Sequence, residues 1–249
     1  MKKEVYNMRS KFDVYNVDMN RLARPAGMLR KMQECGDYQM TAEGLSYDDL
    51  LNDGKAFMLS RLDLVIHDDI VMNEPVQVYT WPCPSTRATF LRNYMIKKDG
   101  EIAAEISSQW TMVNIETRKI MKVEDVDLSS YTHDEYKEVL TSAKMRITKE
   151  QAEAMETVGE KQVLLSDCDY NSHMNNTYSL DLLCDYIPEL YADKHRVAYV
   201  RIHFGNEAPL GSKVIIKRMK KEDGTYLFQT FRGDGQLNVE AEIGLVERK

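Results

Sequence analysis

Two stretches of the chain alternate apolar and polar residues with a period of two. Residues 237–245 and residues 102–112 each place their large apolar side chains on one face. The apolar positions are Leu237, Val239, Ala241, Ile243 and Leu245 in one stretch, and Ile102, Ala104, Ile106, Trp110 and Met112 in the other. This pattern predicts half-buried β-strands. Glycine-containing turns precede both stretches, so the pattern predicts antiparallel meanders.

The same pattern occurs twice along the chain. The matching positions are 66–67 with 202–203, Val76 with Val214, and 99–100 with 234–235, at shifts of 136, 138 and 135 residues. Upstream, Asp18 and Asn20 match Asp169 and Asn171 at a shift of 151. A nearly constant shift over several strands indicates a duplicated unit. The larger upstream shift places about 15 extra residues in the first copy.

The pattern of each copy predicts a strand, a polar loop, a helix and an antiparallel meander. The helix is predicted to begin near Pro25 in the first copy, and near Asn175 or Asn176, either of which can cap it, in the second. A long helix against a curved antiparallel sheet is an α+β arrangement. The predicted division is a first repeat over 1–128, a polar linker with short helices over 129–158, and a second repeat over 159–249.

Composition narrows the classes of function. The chain has 249 residues, of which 43% are hydrophobic and 29% charged, with a net charge of −7. This charge disfavours nucleic acid as a partner. There is no apolar run long enough for a membrane span and no secretory signal, which favours the cytoplasm without integral membrane association. The four cysteines are scattered, and no metal or cofactor motif is present.

The polar loop at 166–178 is the main candidate for chemistry. If the segment is extended, Asp169, Asn171 and His173 share one side, just before a helix N-terminus that favours negative charge. The first copy keeps the Asp and the Asn but has Leu22 in place of His173. Asp and Asn are common turn residues, whereas the turn does not require a histidine. His173 is therefore the predicted functional residue, and Cys168, between two aspartates, is predicted to be a structural thiol.

Three segments carry a resemblance to a known family. Residues 166–188 resemble the D-x-N-x-H-x-N-N loop and following helix of the acyl-acyl-carrier-protein thioesterases of plastids and bacteria. Residues 107–123 resemble that family's strand and exit from the first repeat, and residues 22–36 its first long helix. The resemblance implies two tandem hotdog folds. It also implies hydrolysis of the thioester of fatty acyl-acyl-carrier protein, which releases free fatty acid and ends chain elongation.

The resemblance implies that Asp169, Asn171, His173 and Glu207 carry catalysis. Many relatives have Glu-Cys where this chain has Glu207-Ala208, so a cysteine nucleophile is excluded at that position. The hypothesis is that Glu207 or Asp169 activates a water molecule. Asn171 and the helix N-terminus would polarise the thioester carbonyl, and His173 would supply a hydrogen bond or move a proton.

The acyl chain and its carrier need further surfaces. In the family, much of the acyl tunnel lies in the first repeat against the long helix. The candidates for its lining are Met28, Leu29, Met32, Trp110 and Met112, all of which also suit an ordinary core. The acidic carrier needs a basic patch. The candidates are Lys213, Lys217, Arg218, Lys220 and Lys221, with Arg87, Arg92 and Arg118 as a second option.

Three other functions stay open from the sequence. An acyl-CoA thioesterase would differ only in the carrier. A hotdog enoyl-thioester hydratase is disfavoured, because those enzymes resemble D-x-N-P-φ-H and residues 169–173 lack the proline. A non-catalytic acyl-binding module would be expected to lose a site residue, and none is missing. The sequence does not decide between a monomer and a homodimer.

Overall fold

The computed structural model describes residues 5–126, 145–192 and 194–248 of the chain. These residues fall into two compact units. Unit 1 contains residues 5–23 and 27–126, and unit 2 contains residues 24–26, 145–192 and 194–248. Within the described ranges, no helix is both long enough and apolar enough to cross a membrane.

Unit 1 is a five-stranded antiparallel sheet with two helices. The strands are β1 (Tyr6–Ser10), β2 (Lys55–Ile66), β3 (Val76–Thr86), β4 (Thr89–Lys98) and β5 (Glu101–Asn114). Their order in the sheet is β1-β3-β4-β5-β2. The helices are α1 (Pro25–Ala42) and α2 (Tyr47–Asn52).

Unit 2 repeats this arrangement. After α3 (Lys149–Ala154) come β6 (Glu156–Gln162), α4 (Asn176–Cys184), β7 (His195–Phe204), β8 (Lys213–Lys220), β9 (Tyr226–Arg232) and β10 (Leu237–Glu247). The strand order is β6-β8-β9-β10-β7, again antiparallel. This order matches that of unit 1 strand for strand, and both units show the predicted α+β class.

One predicted correspondence between the repeats is wrong by two residues. The His67 amide donates to the Ala103 carbonyl at 2.8 Å, and the Gly205 amide donates to the Asn238 carbonyl at the same distance. The structural equivalent of His67 is therefore Gly205 rather than His203, a shift of 138. A two-residue error keeps side chains on the same face of a strand, so the alternating pattern could not reveal it.

The helices account for the extra residues of the first copy. Helix α1 has 18 residues and is followed by α2, whereas α4 has 9. Helix α1 begins at Pro25, and Asn175 caps α4, as predicted. A Cβ added at Gly36 of α1 would lie 3.0 Å from the Tyr94 hydroxyl on β4. Glycine therefore permits the close packing of helix on sheet in unit 1.

A β-bulge explains the one exposed residue of the predicted apolar faces. Ile96 pairs with Ala104, but Lys97 pairs with Ile102, so Ala103 is an extra residue in β5. The bulge interrupts the alternation, and Ile102 is 39% exposed. Unit 2 has an extra residue at the equivalent position, Asn238, between Leu237 and Val239.

The predicted linker contains one described helix. Helix α3 is capped by Thr148, whose hydroxyl accepts a hydrogen bond from the Gln151 amide. The other predicted helical stretch, 129–140, lies outside the described residues. Strand β6 begins at Glu156, slightly before the predicted start of the second repeat at 159.

An ion pair in unit 2 gives the fold a dependence on pH. Burial alone would raise the pKa of Glu189, but hydrogen bonds from Lys220 and Tyr226 outweigh it and hold the pKa at about 2. A carboxylate with a lowered folded-state pKa stabilises the fold above its unfolded-state pKa. That stability is lost as the pH falls towards the folded-state value.

We therefore expect Glu189→Gln to lower the free energy of unfolding at pH 7 by about 1–2 kcal/mol, a value reduced for partial solvent exposure. Between about pH 4.5 and pH 2 the variant should lose less stability than the wild type. Urea unfolding at several pH values measures both effects. Glu153→Gln, in the exposed Lys149–Glu153 pair, is the matched control and should change neither. Parallel acid profiles for Glu189→Gln and the wild type would contradict the assignment.

Candidate active site

The polar loop of unit 2 is anchored at its base by Asp167. Asp167 is buried, and its carboxylate accepts from the Leu164 amide at 2.8 Å and lies 2.8 Å from Lys161 Nζ. Its carbonyl accepts from the Asn175 amide at 2.9 Å. These contacts hold together the two ends of the loop between β6 and α4.

The tip of the loop is a tight turn rather than the predicted extended segment. The Asp169 amide donates to the His173 carbonyl at 3.2 Å, and the Ser172 amide donates to the Asp169 carbonyl at 3.0 Å. Ser172 adopts a left-handed conformation with φ of 63°. The prediction that alternation places Asp169, Asn171 and His173 on one side is therefore wrong. An aspartate that captures the amide two residues later favours a turn over a strand.

The Asp169 carboxylate organises this turn. Its Oδ1 accepts from the Asn171 amide at 2.9 Å, and its Oδ2 accepts from Asn175 Nδ2 at 3.1 Å. The side chain of Asn175 also caps α4, since its Oδ1 accepts from the Thr177 amide at 2.9 Å. The sequence predicted the cap but not the bond to Asp169. The Asn171 side chain is exposed at the tip of the turn.

His173 and Glu207 are brought together by backbone pairing. His173 lies opposite Pro209 in an antiparallel bridge, and the Met174 amide donates to the Ala208 carbonyl at 2.8 Å. The His173 Nε2 atom is 3.6 Å from Glu207 Oε1, while Nδ1 lies 3.4 Å from the Met174 carbonyl. A proton on Nδ1 would be donated to that carbonyl, whereas a proton on Nε2 would face the Glu207 carboxylate.

An apolar cluster beneath the site fixes this pairing. Met174 and Ala208, the neighbours of the two site residues, are buried together with Val163 and Val214. Position 208 is thus a core position in this chain. The His173 and Glu207 side chains are 18% and 36% exposed, which leaves the pair accessible from solvent.

The equivalent loop of unit 1 has the same backbone hydrogen bonds without the polar pair. The Asp18 amide donates to the Leu22 carbonyl at 2.8 Å, and Arg21 adopts a φ of 64° like that of Ser172. The Ala23 amide donates to the Ile70 carbonyl at 2.8 Å, as Met174 does to Ala208. The repeat therefore places Leu22 where unit 2 has His173, and Asp69 where it has Glu207.

Cys168 packs against the apolar cluster of Val163, Met174, Ala208 and Val214, and its backbone bridges to Met174. Burial, followed by the neighbouring carboxylates of Asp167 and Asp169, raises the pKa of the Cys168 thiol. The thiol is therefore protonated near neutral pH, and its sulfur lies 3.5 Å from the Leu164 carbonyl. The sequence predicted a structural thiol at this position. Among the described residues, no group of His, Cys, Asp and Glu is arranged to hold a metal ion.

The five predicted acyl-binding residues all lie in unit 1. Met28, Leu29 and Met32 are buried on α1. Met112 is buried in a cluster with Leu50 and Phe90, against which Trp110 packs. These positions are apolar core, and their contact with an acyl chain stays a prediction.

The predicted basic patch on β8 is largely neutralised. Four of its five cations lie within ion-pair distance of a carboxylate. The pairs are Lys213–Glu160, Arg218–Glu156, Lys220–Glu189 and Lys221–Asp223. Lys217 instead lies 5.5 Å from the centre of the Phe231 ring. Because each ion pair cancels much of its own field at a distance, the patch attracts an acidic partner less than its sequence suggests.

In the second candidate docking patch, Arg92 is engaged in contacts within unit 1. The Arg92 guanidinium donates to Gln39 of α1 and to the Thr80 hydroxyl, the latter at 3.0 Å. It therefore serves the packing of helix on sheet in unit 1. Arg87 and Arg118 are exposed.

We expect Asn175→Ala to lower the free energy of unfolding by about 1–2 kcal/mol, because it removes the cap of α4 and the donor to Asp169. Denaturant unfolding measures the change. Asn176→Ala is the matched control, since the neighbouring asparagine lies inside the helix and not at the cap. Equal stability of the two variants would contradict this role.

Curated plant proteins are similar to this chain. The oleoyl-acyl carrier protein thioesterase 1 of Arabidopsis thaliana chloroplasts is 22% identical over 220 residues, covering 82% of this chain and 60% of its own length. The second Arabidopsis thaliana enzyme of that name is 24% identical, with 81% and 60% covered. The chain thus spans about 60% of the length of these curated relatives.

Solved structures share the fold over nearly the full chain. An acyl-ACP thioesterase from Bacteroides thetaiotaomicron superposes with a TM-score of 0.86 at 18% identity, covering 97% of this chain and 98% of its own. The 12:0-ACP thioesterase from Umbellularia californica gives a TM-score of 0.78 at 15% identity, with 98% of each chain covered.

Two family profiles match consecutive parts of the chain. The acyl-ACP thioesterase N-terminal domain matches residues 3–131, and the acyl-ACP thioesterase C-terminal domain matches residues 148–245. Together the two profiles cover most of the chain, so this protein belongs to the acyl-ACP thioesterase family.

Proposed function

We propose that the protein hydrolyses the thioester of fatty acyl-acyl-carrier protein, which releases free fatty acid and the carrier thiol and ends chain elongation. The observation that carries the proposal is the pairing of His173 with Glu207 in unit 2 of a chain from this family. The equivalent positions in unit 1, Leu22 and Asp69, offer no imidazole–carboxylate pair.

Glu207 is the proposed base, and His173 its partner. The Asp169 carboxylate is occupied by the turn and by Asn175, whereas the Glu207 carboxylate faces His173. Glu207 takes a proton from a water molecule whose oxygen bonds to the thioester carbon. The carbon–sulfur bond then breaks, and the thiolate receives a proton through His173. The side-chain amide of Asn171 is proposed to donate to the carbonyl oxygen as negative charge develops on it.

The fold supports a finer assignment within the same proposal. A helix against a five-stranded antiparallel sheet, present once in each unit, fits two tandem hotdog repeats over 1–128 and 159–249. The acyl chain is proposed to lie against α1, along Met28, Leu29 and Met32. The cytoplasmic location stays a prediction from the sequence.

We expect His173→Ala and Glu207→Gln each to lower kcat/KM by about 100-fold or more, because each removes a proton-transfer group. Release of free thiol from acyl chains of graded length, on carrier protein and on CoA, measures the activity and identifies the carrier. Leu22→Ala and Asp69→Asn are the matched controls from unit 1 and should leave the rate within about twofold.

Full activity in both site variants would overturn the site assignment. Faster release from CoA than from carrier protein would favour an acyl-CoA thioesterase. Acyl binding without thiol release would favour a binding module, and loss of an enoyl chromophore would identify a hydratase.

Docking of the carrier protein can be tested at Lys217, the residue of the predicted β8 patch that lies over the Phe231 ring. We expect Lys217→Glu to raise KM for carrier-bound substrate by about 3- to 10-fold at low salt, and less at high salt. A small soluble thioester should be hydrolysed at the wild-type rate. Lys149→Glu, an exposed lysine on α3 outside both patches, is the control. An unchanged KM for Lys217→Glu would refute docking at this patch.

A further inference from the structure

A cation at the end of β9 contacts the segment that carries Glu207. Arg232 Nη1 donates to the Glu207 carbonyl oxygen at 3.4 Å, and Nη2 binds the Asp234 carboxylate. The Arg232 side chain is 25% exposed, so solvent screens these contacts only in part. Two donors of one planar guanidinium thus tie the Glu207 segment to the β9–β10 turn.

Unit 1 has the same contact with a different residue. Lys98 Nζ donates to the Asp69 carbonyl oxygen at 2.7 Å. Asp69 is the equivalent of Glu207 at a shift of 138. Val78 of β3 pairs with Ile96 of β4, and Ile216 of β8 pairs with Thr230 of β9. Ile96 therefore corresponds to Thr230, which makes Lys98 the equivalent of Arg232. Two different cations therefore reach the same backbone carbonyl in the two repeats.

The backbone hydrogen bonds at the two ends of the segment that carries residue 207 also have equivalents in unit 1. In unit 2 the Gly205 amide donates to Asn238, and the Leu210 amide donates to the Ser172 carbonyl at 3.0 Å. In unit 1 the His67 amide donates to Ala103, and the Met72 amide donates to the Arg21 carbonyl at 2.7 Å. Backbone bonds thus hold both ends of the segment, and the cation holds the peptide plane of residue 69 or 207 between them.

The position of the backbone at residue 207 sets where the Glu207 side chain begins. The carbonyl group that Arg232 contacts and the Glu207 side chain both branch from the same Cα atom, so a displacement of this backbone would move the carboxylate relative to His173. Such a change is costly for a proton transfer over a short distance, since misplacement of a reacting group by about 1 Å lowers rates by about 100-fold. In unit 1 the same brace acts on Asp69, which faces no histidine at the position of Leu22.

We propose that Arg232 is a positioning residue that sets the orientation of Glu207 towards His173. The inference rests on the proposed function for its kinetic consequence, but the contact itself is independent of activity. The chain supplies both a conservative replacement and a control, because unit 1 performs the same bracing with a lysine.

Three variants test the proposal in the full chain. Arg232→Met should lower kcat by about 10-fold or more and leave KM within about twofold, because substrate binding is untouched. Arg232→Lys should restore most of kcat, since lysine makes this contact in unit 1. Lys98→Met, which removes the equivalent brace, should leave kcat within about twofold. Thermal unfolding of all three checks that the Arg232→Met loss is not general destabilisation.

A small soluble thioester separates positioning from carrier docking. If Arg232 orients Glu207, Arg232→Met lowers kcat equally for carrier-bound and small thioesters. A higher KM confined to carrier-bound substrate would overturn the proposal and make Arg232 a docking residue. Equal losses of kcat in Arg232→Met and Lys98→Met would also overturn it, because they would indicate a structural role alone.

The effect of Arg232 on Glu207 can also be measured without substrate. The imidazole NMR resonances of His173 report the nearby Glu207 carboxylate whether or not the protein is active. Arg232→Met should shift them in the same direction as Glu207→Gln, and Lys98→Met should leave them unchanged. Unchanged resonances in Arg232→Met would refute the positioning role even in an active enzyme. Shifted resonances in a protein that hydrolyses no thioester would retain the positioning role and reject the proposed function.

Discussion

The candidate site depends on one short antiparallel contact between the polar loop and the segment after β7. The Met174 amide donates to the Ala208 carbonyl, and the Leu210 amide donates to the Ser172 carbonyl. This register buries Met174 and Ala208 and leaves His173 and Glu207 partly exposed beside each other. A slip of one residue would bury the imidazole and expose the methionine, so the apolar cluster enforces the register that the proposed chemistry needs.

The duplicated loop shows which features belong to the fold and which do not. Unit 1 keeps the turn, the left-handed residue and the backbone bonds, although it has Leu22 and Asp69 in place of the pair. The scaffold therefore does not require an imidazole or a glutamate at these positions. Asp18 and Asp169 both accept from amides of their own turns, so the aspartate that the two loops share is first a structural residue. His173 and Glu207 are what unit 2 adds.

The sequence predicted the features that depend on local pattern. Alternation, turn glycines and constant shifts gave the antiparallel strands and the repeat, because strand faces and turns are encoded within a few residues. Ile102 was misplaced because the bulge at Ala103 leaves no mark in a hydrophobic pattern. The extended loop was wrong because Asp169 captures a nearby amide, and a period of two does not account for such side-chain bonds.

Contacts between residues that are far apart in the sequence could not be predicted from the pattern of apolar and polar positions. Glu207 entered through the family resemblance, since 34 positions separate it from His173 (207 − 173) and no local rule joins them. The basic patch on β8 looked stronger in sequence than in structure for the same reason. Three of its four neutralising partners, Glu156, Glu160 and Glu189, come from β6 and from the turn after α4. Arg232 was not predicted as a site residue, because it contacts a backbone carbonyl. Every residue has such a carbonyl, so the sequence does not show which one an arginine will contact.

The proposed hydrolysis is consistent with the distance between the His173 and Glu207 side chains. At 3.6 Å, the His173 Nε2 and Glu207 Oε1 atoms are too far apart for a strong direct hydrogen bond, so neither group is fully occupied by the other. Both can therefore contact a water molecule, and apo sites of this kind commonly tighten when substrate binds. A thiol has a pKa of about 8.5, so a thiolate leaves without the full protonation that an amine requires. The demand on the site is thus to generate and aim the nucleophile, which makes the orientation of Glu207 the quantity that the surrounding structure must control.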